Sequence, residues 1–211
     1  MTEVLIAIFG ITMLYVSSTS RVEAYIRVLA VQGVILFLMV LLDHAHLEVL
    51  NLVFLGAETL LFKAIIIPVF LMFTVRKNNI QREAEPFMPS FYSVLITTAI
   101  FAFGFLIAFW ASSNASNVRP LYFGVSIATI ITGLFIIISR KKIITHVMGY
   151  IMIENGIFML AMSVVGEMPM IVNLGVLLDL FAAIYLLGLF VTKINSTFDE
   201  LHIDSLTNLR D

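Results

Sequence analysis

The sequence predicts an all-α integral membrane protein of about seven transmembrane helices, and three observations support this. Of the 211 residues, 61% are hydrophobic and only 12% are charged, whereas soluble domains are roughly 45–50% apolar and about 25% charged. The mean hydropathy is +1.06. Apolar runs of the length that spans a bilayer, roughly 17–25 residues, recur along the whole chain. Lipid is therefore the expected solvent for most of the surface.

Seven apolar runs predict the helices in order. The first, at residues 3–19, is short and lacks the basic region and small-residue cleavage site of a secretory signal, so we expect it to be retained as a helix. The other six cover residues 23–43, 48–75, 91–111, 119–139, 143–166 and 170–192. This layout predicts an N-terminal three-helix unit at 1–76, a linker and fourth helix at 77–118, a second three-helix unit at 119–195 and a cytoplasmic tail at 196–211.

The distribution of lysine and arginine predicts the orientation. With the C-terminus placed in the cytoplasm, only Arg119 falls outside, and Arg27 and Lys63 lie within spans. The cytoplasmic set contains Arg21, Arg76, Lys77, Arg82, Arg140, Lys141, Lys142, Lys193 and Arg210. Because cytoplasmic loops of membrane proteins are enriched in positive residues, we expect an N-out, C-in, multi-pass protein of the inner (cytoplasmic) membrane.

Composition also excludes several functions. The chain has no cysteine, which excludes thiolate-ligated iron–sulfur clusters and disulfides within it. The net charge of −2 argues against a nucleic-acid partner. No phosphate-binding glycine loop or nucleophile motif is present. His44 and His46 are an unfavourable metal site, because no further histidine accompanies them. We therefore predict no catalytic residue, no metal site and no cofactor in this chain.

Four ionisable residues are predicted to lie deep in the bilayer: Glu58, Lys63, Glu154 and Asp179. At the α-helical rise, Glu154 lies roughly 18 Å, Lys63 roughly 20 Å and Asp179 roughly 21 Å from the cytoplasmic boundary. Glu58 lies deeper still. Because a charge at the bilayer centre costs about 2.5–3.5 kcal/mol, such residues usually pair or line a proton path.

Two interpretations of these residues remain open. One is a proton relay, with Glu154 and Asp179 as relay carboxylates, Glu58 and Lys63 as a second titrating pair, and His146 as a possible proton entry. The other is simple pairing that neutralises buried charge. In an α-helix Glu58 and Lys63 would point about 140° apart. We therefore expect each of them to need another partner or intervening water.

Other polar residues are predicted to have structural roles. Helix–helix hydrogen bonds are expected at Arg27, Gln32, Asn155 and Asn173. Pro68 is expected to kink the third span near Lys63. The dipeptides Gln32-Gly33 and Asn155-Gly156 are 123 residues apart. This spacing leaves open an internal repeat in which the first three helices correspond to the last three.

The C-terminal half resembles subunit K of respiratory complex I and, through it, the shorter homologous subunit of Mrp-type cation antiporters. The resemblance rests on Arg140-Lys141-Lys142, the stretch from Gly149 to Glu154-Asn155, the acid Asp179 and the tail from His202 to Arg210. The chain departs from the pattern at Ile151, where the complex I subunit usually has its first glutamate. Here the acid comes three residues later, at Glu154.

The whole chain is more similar to the hydrogenase-4 component E family, with Glu58-Thr59-Leu60-Leu61-Phe62-Lys63 through Pro68 as the signature. This resemblance implies a non-redox membrane subunit of a complex-I-like hydrogenase or related respiratory complex. Its partners would be other membrane subunits, including large antiporter-like ones. The implied function is help in proton or sodium translocation. Two alternatives stay open: a scaffold subunit of such a complex or of a multisubunit antiporter without its own relay, and a stand-alone transporter.

Overall fold

The computed structural model describes residues 1–42, 49–77, 87–114 and 118–163, together with Gly175, Leu178, Ala182, Tyr185 and Leu189. Every regular element in these ranges is helical. In chain order they are α1 (Thr2–Ser18), α2 (Val22–Leu42), α3 (Val49–Ala57), a π-helical segment (Glu58–Ile66), α4 (Ile67–Lys77), α5 (Ser90–Asn114), α6 (Pro120–Ser139) and α7 (Ile143–Ser163).

Five of the described helices are long and apolar enough to cross a membrane. They are Val22–Leu42, Leu52–Arg76, Ser90–Ser113, Pro120–Ser139 and Ile143–Ser163, and the second of these joins α3, the π segment and α4 into one span. Helix α1 is apolar but has 17 residues. The chain is thus a multi-pass membrane protein. The predicted span at 170–192 lies largely outside the described residues, so the count of seven and the domain boundaries stay predictions.

Burial is distributed unevenly among the spans, as expected for a bundle in lipid. In α7, 67% of the span is buried, whereas only 17% of the α5 span is. The outward face of α5 carries large apolar side chains such as Leu106, Phe109 and Trp110, each at least 68% exposed. Such a surface is stable only in contact with hydrocarbon. Helix α7 is therefore central and α5 peripheral among the described helices.

Two hydrophobic clusters form the interior, one toward each end of the bundle. The first contains Met13, Val22, Val75 and Met148 among others. The second is built around Ile6, Phe9, Ile35, Leu36, Leu55, Tyr122, Phe158 and Met159. Between them, along every central helix, lies a layer of buried polar side chains that includes Gln32, Glu58, Thr59, Lys63, Ser126, Thr129, Thr132, Glu154 and Asn155. We call this the polar layer.

Glycines allow the closest helix approaches. A Cβ added at Gly33 of α2 would lie 2.6 Å from the backbone nitrogen of Ala64 and 2.7 Å from the carbonyl carbon of Lys63, both in the π segment. A Cβ on Gly133 of α6 would lie 2.9 Å from the carbonyl oxygen of Gly149 in α7. Small residues at such crossings let helix backbones pack directly against each other in membranes.

The two ends of the bundle differ in charge. Arg140, after α6, donates hydrogen bonds to the carbonyl oxygens of Ser17 (3.2 Å) and Thr19 (3.3 Å), which places the α1–α2 and α6–α7 turns at the same end. Arg21, Lys141 and Lys142 belong to these turns. At the opposite end, the amide of Arg119 donates to the carbonyl oxygen of Ser163 (2.8 Å). The placement of this positive end at the cytoplasmic face stays a prediction.

Replacing Gly33 tests whether its close contact holds the π segment in place. Gly33→Ala should lower stability by about 1–3 kcal/mol, because the new methyl group overlaps backbone atoms that cannot rotate away. Gly56→Ala is the matched control, since its Cβ would meet only Phe37, at an ordinary 3.5 Å. The measurement is the thermal unfolding midpoint of both variants in one detergent. Equal midpoints would contradict the assigned role of Gly33.

Candidate functional site

The third span changes helix type in the middle of the membrane. Pro68 has no N–H to donate, and its ring clashes with the carbonyl of Ala64 in α-helical geometry. The π segment ends at Ile66, two residues before Pro68. The amide of Ile67 donates to the carbonyl oxygen of Phe62, five residues back, which is the π-helical pattern. The distortion predicted from Pro68 is thus present as a wider helical turn.

That wider turn brings Glu58 and Lys63 together. The Lys63 Nζ lies 3.5 Å from the Glu58 Oε1. The expectation that each of these side chains would need another partner or intervening water is wrong, because it assumed α-helical spacing, in which residues five apart diverge. The alternative of direct pairing is the one that the structure shows. In a helix with i→i+5 hydrogen bonds the turn is wider, so residues five apart diverge much less around the axis than in an α-helix. The π segment is what makes the ion pair possible.

The Glu58–Lys63 pair is enclosed by apolar and polar side chains. The Lys63 side chain is 6% exposed and that of Glu58 is 5% exposed. The Lys63 Nζ also lies 5.1 Å from the centroid of the Phe158 ring of α7, a cation–π contact. The hydroxyl of Thr59 donates to the carbonyl oxygen of Leu55 at 2.8 Å, which satisfies it within its own helix.

Glu154 belongs to the same layer and lies on α7. It is 3% exposed and precedes Phe158 by four residues, so the two side chains leave α7 on one face. Phe158 contacts Lys63, and that face of α7 therefore turns toward the Lys63 ammonium. Three of the four residues predicted as a relay are buried in the polar layer. The fourth, Asp179, lies outside the described residues.

A hydrogen-bonded chain crosses the bundle at this level. The Asn155 amide nitrogen donates to the Gln32 side-chain oxygen at 3.1 Å. The Gln32 amide nitrogen in turn donates to the Thr12 hydroxyl at 2.9 Å and to the Met13 sulfur at 3.0 Å. The predicted helix–helix hydrogen bonds of Gln32 and Asn155 are thereby confirmed, and they join α1, α2 and α7.

The contact between Gln32 and Asn155 also bears on the internal repeat. The two residues occupy corresponding positions, 123 apart, and they bond to each other. Direct contact between equivalent positions is what a two-fold axis between α2 and α7 would produce. The repeat itself stays a prediction, because the last predicted helix lies largely outside the described residues.

Arg27 and His146 differ from the polar-layer residues in position. The prediction of a helix–helix hydrogen bond for Arg27 is wrong: its side chain is 74% exposed and pairs with Glu23 of the same helix at 3.6 Å. His146 lies near the positive end, where its Nε2 is 2.9 Å from the carbonyl oxygen of Arg140. This contact closes the α6–α7 turn, and proton entry at His146 stays a prediction. Asn173, His44 and His46 lie outside the described residues.

Sequence reasoning missed the role of Arg140, which it assigned simply to a cytoplasmic loop. The residue is 2% exposed, and its guanidinium lies 5.8 Å from the Tyr25 ring centroid. Its hydrogen bonds to Ser17 and Thr19 neutralise the carbonyl end of α1, where the helix dipole favours a cation. An available signal was the run of serine and threonine at the end of α1, whose last turn contains no basic residue. Within the described ranges, no group of three histidine, aspartate or glutamate side chains is placed to hold a metal ion.

Removing one or both charges of the ion pair tests its energetics. Lys63→Met should destabilise the protein by about 3–5 kcal/mol, because it leaves a buried carboxylate without its cation. The double variant Glu58→Gln/Lys63→Met should recover most of this loss, since no charge then remains. The measurement is the unfolding midpoint in detergent, with Lys142→Met as the control at the bundle end. A double variant as unstable as Lys63→Met would show that the pair is not the cause.

The comparisons with known proteins agree with the resemblance in the sequence. The chain is 29% identical to the uncharacterized protein Rv0085 of Mycobacterium tuberculosis over 197 residues, which are 90% of this chain and 86% of the relative. It is 24% identical to hydrogenase-4 component E of Escherichia coli K12 over 157 residues, 74% of this chain and 72% of that protein. No family model matches the chain. No solved structure matches it. Similarity to hydrogenase-4 component E is therefore confirmed as a distant one, and that to subunit K stays a prediction.

Proposed function

We propose that this chain is a non-redox membrane subunit of a complex-I-like membrane-bound hydrogenase or related respiratory complex. Its contribution is proton or sodium translocation through Glu58, Lys63, Glu154 and Asp179. The distant similarity to hydrogenase-4 component E supports membership of such an assembly. Large antiporter-like subunits would be its neighbours in the membrane. The place of Asp179 in this proposal rests on the sequence alone.

The buried Glu58–Lys63 pair is the observation that carries the proposal. Replacing a buried ion pair by apolar side chains is often neutral or stabilising, so stability alone does not explain its presence. In a membrane each ionisable group adds about 2.5–3.5 kcal/mol of insertion cost. This chain places Glu58, Lys63 and Glu154 in one buried layer. A role in function is the simplest explanation for three ionisable side chains that each add this insertion cost.

The pair can pass a proton by changing charge in turn. While Glu58 is ionised, its carboxylate attracts the Lys63 ammonium 3.5 Å away. Protonation of Glu58 removes this attraction, and Lys63 then releases its proton toward α7, where Glu154 lies. When Lys63 takes up a new proton, its positive charge expels the one on Glu58. Two protons enter and two leave per cycle, one of each through Glu58 and one of each through Lys63, and the pair returns to its starting state.

A scaffold role is the second candidate, and the interlocked packing favours it. Gly33 lies directly against the π segment, and Gln32 joins α1 to α7. In this role the ion pair would only neutralise itself, and the chain would hold larger subunits in position. The two candidates differ in what happens when both charges are removed without disturbing assembly.

Neutral variants of the relay carboxylates should uncouple pumping from assembly. Glu154→Gln or Asp179→Asn should lower proton uptake by inverted membrane vesicles at least several-fold during electron transfer by the parent complex, because an amide cannot carry a proton through the layer. Glu3→Gln, at the exposed start of α1, is the control. Native gels report assembly. Normal uptake in both variants would remove these residues from the relay.

The double variant Glu58→Gln/Lys63→Met separates relay from scaffold. If the pair conducts protons, the assembled complex should transfer electrons with strongly reduced proton uptake. If the pair is structural, the double variant should restore both assembly and uptake that Lys63→Met alone has lost. Repeating the assay with sodium replaced by potassium identifies the transported ion.

A further inference from the structure

The groove between α1 and α2 at the positive end of the bundle is not used by the proposed relay. It encloses about 340 Å³ and is lined by Thr12, Tyr15, Arg21, Glu23, Arg27 and Val31, among others. Its mouth is at the α1–α2 turn, and its inner end reaches Thr12 and Val31. Thr12 lies roughly 9 Å along the helix axis from the end of α1, and Val31 lies roughly 14 Å from the start of α2.

The mouth of the groove carries excess positive charge. The charged residues that line the groove are Arg21, Arg27 and Glu23. Glu23 pairs with Arg27 at 3.6 Å, which leaves the charge of Arg21 in excess. Within the part of the chain that the structure describes, Arg21 is exposed and forms no ion pair. Arg27 lies about 8 Å along α2 from its first residue, where a lipid-facing arginine extends toward the headgroups. An anion is the complementary ligand for this mouth.

The inner end of the groove is polar but already satisfied. The Thr12 hydroxyl donates to the carbonyl oxygen of Phe9 at 2.6 Å and accepts from the Gln32 amide at 2.9 Å. It therefore has little capacity to bind a further polar ligand. Deeper than the arginines the groove is lined by the apolar side chains of Val28 and Val31, and Val31 is 47% exposed. The ligand that matches both parts has a charged head and an apolar tail.

We propose that this groove binds an anionic phospholipid, with the phosphate between Arg21 and Arg27 and an acyl chain between α1 and α2 past Val28 and Val31. Two arginines supply charge and hydrogen-bond donors for the phosphate, as basic pockets between membrane helices do for acidic headgroups. Exposed Tyr15 lies at the depth of the ester region, a common position for tyrosine in membrane proteins. Through Thr12, the lipid lies against the hydrogen-bonded chain that crosses the polar layer.

Native mass spectrometry of the full chain in detergent tests the site. Dioleoylphosphatidylglycerol should bind at least tenfold more tightly than dioleoylphosphatidylcholine. This preference should be lost in Arg21→Gln/Arg27→Gln and retained in Arg27→Lys, which keeps the charge. Arg76→Gln, an exposed arginine at the positive end but outside the groove, is the matched control. Unfolding midpoints in phosphatidylcholine verify that each variant is folded.

Three results would overturn the proposal. Equal binding of the two lipids would show that the headgroup is not recognised. An equal loss in Arg76→Gln would show that the attraction is a general effect of surface charge. Unchanged phosphatidylglycerol binding in the double arginine variant, together with loss of assembly into the parent complex, would assign the groove to an acidic partner protein instead.

Discussion

Keeping charge out of hydrocarbon is the constraint on which this structure depends. A lysine and a glutamate within one apolar span have no water to solvate them, so each must find the other or a polar neighbour. The π segment meets this requirement by aligning side chains five residues apart, and Glu58 and Lys63 approach to 3.5 Å. Pro68 contributes by disrupting α-helical hydrogen bonding. Gly33 contributes because it has no side chain, which lets the backbone of the π segment pack directly against α2.

The polar layer follows from the same constraint. Buried amides and hydroxyls need partners: the hydroxyls of Thr59, Ser126 and Thr129 bond to carbonyl oxygens of their own helices, and the amides of Gln32 and Asn155 bond across helices. Asn155, Gln32 and Thr12 connect three helices between two hydrophobic clusters. A layer of this kind fixes the vertical register of the helices, because sliding one helix would leave polar groups without partners in an apolar cluster. It also gathers Glu58, Lys63 and Glu154 where protons could pass between them.

Positive charge at one end of the bundle has both a structural and a surface role. Arg140 is buried and binds the carbonyl end of α1, so it holds two turns together. Arg21 and Arg27 are exposed and line a groove open to lipid. Arginine and lysine collect at one side of a membrane protein. In this protein the arginines at that side occupy two different environments, one buried and one exposed.

The sequence by itself determined the class of protein and the approximate boundaries of the described helices, and it predicted a depth for the ionisable residues. These depend on composition, apolar run length and a constant rise per residue, all of which are local. It also indicated that Gln32 and Asn155 form helix–helix hydrogen bonds, without pairing them with each other, and that Pro68 disturbs its helix. Only the tertiary structure decided that Glu58 pairs with Lys63, that Arg140 is buried and that Arg27 faces outward. Helix type and helix rotation are set by packing against neighbours such as Gly33, and no local pattern records that contact.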